Sequence, residues 1–224
     1  GFALANQAKG RHIITTNAEH HAVLHTCEFL QKRDFEVTYL PVDSLGRVNA
    51  GQVLEAIRPD TILVSVMFAN NEIGTIQPIA EIGRVCREKK VLFHTDAVQA
   101  MGNVRIKVED MNIDMMSMSS HKFYGPKGIG ALYLRKGVKI SSFLHGGEQE
   151  RGRRASTENV PAIVGMATAL EIAVKNIDDY NKKLTTLRDR TIEEIQKKIP
   201  FVRLNGKVKD YADGNYIGDI HITI

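Results

Sequence analysis

The sequence is poor in cysteine: its 224 residues contain two, Cys27 and Cys86, and their spacing marks neither a disulfide framework nor a zinc site. Both fall in segments that read as helices, which makes them buried structural thiols in a reducing compartment. Long apolar runs are missing too. No stretch nears the roughly 20 apolar residues needed to cross a bilayer, and the opening residues lack a signal peptide's charged-then-apolar layout. The expectation is a soluble protein of the cytoplasm or an organellar matrix, with no membrane partner. Charge of one sign is scarce, with a net of +4 from 30 basic and 26 acidic residues. The dense basic cluster is Arg151, Arg153 and Arg154, and no direct nucleic-acid partner is expected. His21 and His25 stand four apart on a helix without a third ligand in view, so a solvent-facing pair is expected and no metal is predicted.

What is present is a regular alternation. Ile13–Thr16, Phe35–Leu40, Thr61–Met67, Val91–His94, the apolar stretch Ile113–Met118 and Ile129–Leu134 read as strands. Helices are expected after His21, over 50–57, over about 78–89, and from about 160 to 198 with a break near 176–179. Thr61–Met67 is a continuous apolar run of the kind buried on both faces of a parallel sheet. The fold class is therefore α/β, a mostly parallel sheet with helices on both faces. The loops expected are Thr95–Gln99, the turn holding Lys122, and a polar loop from Gly146 to about residue 158. A last strand is expected over 217–224. In such a sheet the site lies at the carboxyl ends of the strands. The unusual polar residues fall there: His20, Asn71, Asp96, Gln99 and Ser119 through Lys122 each follow a strand.

These residue types suggest a chemistry. A lysine that forms a Schiff base must lose its proton near neutral pH, which a partly desolvated pocket favours. Pyridoxal phosphate would pair with such a lysine and needs an acid at its ring nitrogen, a donor near its phenolic oxygen, an anion nest and a flat group over the ring. Asp96, Gln99, Ser119 with His121, and His20 could fill those places in turn, with Lys122 as the attachment point.

At this point the sequence resembles a known family. Ala18-Glu19-His20-His21-Ala22-Val23-Leu24, Asn70-Asn71-Glu72-Ile73-Gly74, His94-Thr95-Asp96-Ala97-Val98-Gln99, Ser119 through Gly128, and Gly146 through Asn159 occur in the order and spacing of NifS/IscS-like cysteine desulfurases. These are class V aminotransferases of fold type I. The resemblance implies a pyridoxal-phosphate enzyme that takes sulfur from L-cysteine, leaving L-alanine and a persulfide, and passes the sulfur to an acceptor such as a cluster scaffold or a thiolation pathway. It gives Lys122 the Schiff base and the proton transfers, Asp96 the ring nitrogen, Gln99 the phenolic oxygen, and His20 the ring stack together with a catalytic acid/base role. Asn71 takes a place beside the phenolic oxygen and the substrate carboxylate. Ser119 and His121 take the phosphate, and Thr157 that of a neighbouring subunit, which implies a homodimer. Ser156 stands where the family has glycine. The resemblance also divides the chain into residues 1–176, most of a large cofactor domain, and 177–224, the start of a small one. It places a threonine-bearing phosphate loop before Gly1, and the nucleophilic cysteine and carboxylate-clamping arginine beyond Ile224. The expectation is a fragment that would not release sulfur by itself. A selenocysteine lyase or an aminotransferase would use the same lysine and aspartate, and a non-catalytic binding module remains the alternative outside the enzymes.

Overall fold

The computed structural model describes residues 1–205 and the backbone of residues 222 and 223. Six strands form the main sheet: β1 (His12–Thr16), β2 (Glu36–Leu40), β3 (Thr61–Ser65), β4 (Leu92–Asp96), β5 (Met115–Ser119) and β6 (Gly130–Leu134). Their order is β2-β1-β3-β4-β5-β6; the first five run parallel and β6 returns antiparallel to β5. A short antiparallel pair, β7 (Arg203–Leu204) with β8 (Ile222–Thr223), lies apart. The rest of the strand expected over 217–224 lies outside the described residues.

Burial explains the parallel core. All five residues of β1 are buried, and four of the five in β3, so these central strands must be covered on both sides. One face is closed by α3 (Ala50–Ala56), α4 (Ile79–Lys89) and α6 (Val160–Lys175), which pack Val53, Ile82, Cys86 and Met166 onto Ile14, Val64, Phe93 and Met116. On the other face, α1 (Phe2–Asn6) and α2 (His21–Gln31) bring Phe2 and Leu30 onto Ile13, Ile62 and Met115. Asn49 starts α3 with a reciprocal capping box to Gln52. Lys90 ends α4 in the left-handed region.

Three local features differ from the sequence expectation. β4 runs on to Asp96 rather than stopping at His94, because Thr95 and Asp96 keep the ladder with Met116 and Ser117. The stretch after β5 is a 3-10 turn, Ser120–Phe123, rather than an open loop. A helical turn, α5 (Gln149–Gly152), interrupts the polar loop from Gly146. The break in the last helical region falls at Asn176, where α6 meets α7 (Ile177–Lys198) at a bend of 72°. No single helix among the described residues is long and apolar enough to cross a membrane.

Candidate active site

The strand order sets the location. From β1 the chain moves outward to β2, then crosses back over β1 to β3, so the connections diverge at the carboxyl ends of β1 and β3 and open a crevice there. Main-chain bonds extend the sheet past the strand ends: Phe68 N–H donates to Asp96 O at 2.8 Å and Ala97 N–H to Ser117 O at 3.0 Å. The loops after β1, β3, β4 and β5 therefore share one edge.

Asp96, the last residue of β4, is buried, and its Oδ1 accepts the Val98 N–H at 2.9 Å. This bond turns the chain away from the sheet and leaves the other carboxylate oxygen outside that turn. Two residues earlier, on the same sheet face, His94 bridges Ser65 Oγ at 2.8 Å and Ser117 Oγ at 2.9 Å. This polar row spans β3, β4 and β5 beneath Asp96. Burial holds the His94 imidazole neutral, lowering its pKa to about 4. Gln99 is half-buried in the turn after Asp96, where its main-chain carbonyl accepts from Asn103 Nδ2 at 3.0 Å.

Past β5, Ser119 Oγ and His121 Nδ1 lie 2.8 Å apart on the exposed side. Lys122 follows within the 3-10 turn, exposed rather than in the desolvated pocket a Schiff-base lysine favours, and it lines a cavity of ≈580 Å³ with Tyr124, Asn103 and Ile172. The turn is held from behind by small residues of α6. A Cβ on Gly125 would come within 2.1 Å of Ser120 Oγ and 3.2 Å of Ala169, and one on Gly165 within 2.7 Å of Pro126. Only glycine permits both approaches.

His20 caps α2: its Nδ1 accepts the Ala22 N–H at 3.1 Å, which leaves the ring proton on Nε2, outward at the mouth of the crevice. Asn71 is half-buried after β3. Its neighbour Asn70 fixes that loop, donating to Ala18 O at 3.0 Å and accepting from Glu72 and Ile73 N–H. Thr157 is the exception. It is exposed on the loop between α5 and α6, away from the strand ends that carry the other seven residues in sequence. Next to it Ser156 adopts φ 114°, a region that favours glycine, so the departure noted in the sequence is a real strain.

Glu19 and Asn70 bolt the loops that carry His20 and Asn71. Their signal in the sequence was only their place inside the motifs beside those residues. Cys27 and Cys86 are buried as expected, and burial raises their thiols to about 11 and about 12. His21 and His25 are exposed and stack at 5.2 Å.

Comparison with known proteins identifies relatives of this sequence and fold. Cysteine desulfurase IscS of Clostridium botulinum (strain Hall) is 62% identical over 206 residues, which are 92% of this chain and 52% of that protein. The chain thus spans about half the length of the curated relatives it matches. A solved NifS-like protein superposes with a TM-score of 0.92 at 39% identity, over 99% of this chain and 60% of that one. SspA, solved in complex with cysteine, superposes with a TM-score of 0.74 at 48% identity, over 76% of this chain and 50% of its own. The sequence model of aminotransferase class-V matches residues 2–217, and the chain belongs to that family.

Proposed function

We propose that this chain is the cofactor-holding part of a pyridoxal-phosphate-dependent cysteine desulfurase, which converts L-cysteine to L-alanine and leaves the sulfur as a persulfide for an acceptor protein. The observation that carries the reading is the gathering of a buried acid, a serine–histidine pair and a lysine at the ends of the adjacent strands β4 and β5. The donor set fits pyridoxal phosphate. Asp96 would face the ring nitrogen, Ser119 and His121 the phosphate, Gln99 and Asn71 the phenolic oxygen, and His20 the ring plane. Lys122 would hold the carbonyl carbon. When bound, such a group withdraws electrons from the carbon bearing the substrate's amino group and weakens the bonds to it.

The chain's own residues do the rest. Asp96, buried at the strand end, would hold the protonated ring nitrogen through its carboxylate. Ser119 and His121 would hold the phosphate, and Lys122 Nζ, freed when the substrate's amino group displaces it, would take and return a proton at the substrate carbon. The persulfide does not form on Cys27 or Cys86, since both thiols are buried and kept protonated. Two unpaired buried thiols also fit a cytoplasmic or organellar-matrix setting. We place the end of the cofactor domain at the bend near Asn176. The protein acts as a homodimer: exposed Thr157 serves the second subunit's phosphate, and the apolar residues Val160, Val164 and Ile172 that α6 leaves uncovered suit an interface.

The test is product analysis on the full-length protein with pyridoxal phosphate, L-cysteine and a thiol reductant. L-alanine and sulfide should appear in equal amounts, and Lys122→Ala should abolish both. Alanine formed only when pyruvate is supplied, with 3-mercaptopyruvate in place of sulfide, would make the protein an aminotransferase instead. Turnover of selenocysteine alone would make it a selenocysteine lyase.

A further inference from the structure

Glu19 sits between Ala18 and His20 in the β1–α2 loop and is 7% exposed. Its Oε1 accepts the Met67 N–H at 2.8 Å and the Thr16 hydroxyl at 2.9 Å. Its Oε2 is buried and meets no donor. The groups facing it offer no positive charge: β1 gives the Thr16 hydroxyl, the segment after β3 the Met67 amide, β4 the carboxylate of Asp96 and α2 the thiol of Cys27. His20, next in the chain, spends its Nδ1 on the helix cap. A carboxylate enclosed there would be a desolvated charge without a cation, so the acid form is favoured. Burial, with a smaller push from Asp96, raises the Glu19 carboxyl to about 8.

We infer that Glu19 is a positioning residue that works in its neutral, protonated form: it ties the loop after β1 to the segment after β3, sets His20 and Asn71 across the crevice from one another, and adds no second anion beside Asp96. What it does for a bound cofactor rests on the reading above; the tie and the proton do not. An ionised glutamate here would compete with Asp96 for whatever positive charge the crevice receives. A neutral one leaves Asp96 unopposed.

Three measurements on the full-length protein separate these points. The infrared difference between wild type and Glu19→Gln should contain one protonated-carboxyl stretch at pH 7 that fades as the pH passes about 8; no such band at pH 7 overturns the neutral form. Amide exchange reads the tie. Met67 N–H should stay protected in Glu19→Gln, which keeps the accepting oxygen, and exchange roughly tenfold faster in Glu19→Ala. Equal protection in both variants overturns the positioning role. Titration with pyridoxal phosphate should then give wild-type affinity for Glu19→Gln and a loss of about tenfold for Glu19→Ala. If wild type takes up no cofactor while the band and the Met67 protection behave as stated, the cofactor reading fails and the Glu19 assignment stands.

Discussion

Cys27 and Cys86 illustrate how far burial alone decides chemistry. The nucleophilic form of cysteine is the thiolate, and thiols held near 11 and 12 contain almost none of it at neutral pH. Both should resist alkylation by a small haloacetamide at pH 7.5 in the native protein and react fully once it is unfolded. Rapid native labelling of either would reopen its candidacy for sulfur transfer. Ser156 makes the opposite case, in which the residue is accessible and its backbone is constrained. At φ 114° it stores on the order of 1 kcal/mol that glycine would not. Ser156→Gly should raise the melting temperature by about 2–4 °C, measured by calorimetry at fixed pH. A lowered midpoint would mean that the side chain holds the loop.

At the scale of elements, the row Ser65–His94–Ser117 joins three parallel strands under Asp96. The two His94 ring nitrogens meet hydroxyls that can donate or accept, so the neutral ring is fully bonded there, donating from one nitrogen and accepting at the other, and burial keeps it neutral. Because its folded pKa, about 4, lies below the unfolded value, the folded state binds fewer protons in that window. His94 therefore contributes stability fully above pH 6.5, and the contribution is lost as pH falls toward 4, by on the order of 3 kcal/mol. Denaturant titrations at pH 7 and pH 4.5 should show a larger loss for wild type than for His94→Gln. Equal losses would mean that His94 titrates normally. The sequence made much of this level legible. The apolar runs of β1 and β3 announced a doubly covered parallel sheet, and the polar residues after them announced the edge that matters. It did not reveal that β4 continues to Asp96, since an aspartate is a poor strand former and register with β5 holds it in place. Nor could it reveal Glu19, whose partner amide is 48 residues away and whose burial is a property of the assembled crevice.

For the whole molecule, the strand order brings residues more than a hundred positions apart to one edge. His20, Asn71, Asp96, Ser119, His121 and Lys122 are distributed along it because each ends or follows one of four neighbouring strands. Thr157 stands outside this logic, and its part in the account depends on a second subunit. The central claim, that the edge is a pyridoxal-phosphate site with Lys122 as its attachment, is tested most directly by covalent trapping. The purified full-length protein is incubated with pyridoxal phosphate, its absorbance recorded, and the sample reduced with borohydride and peptide-mapped. A band near the visible edge should appear and vanish on reduction, with the label fixed on Lys122 and absent from Lys122→Ala. A reduced sample with no labelled lysine, or with the label on another lysine, would contradict it.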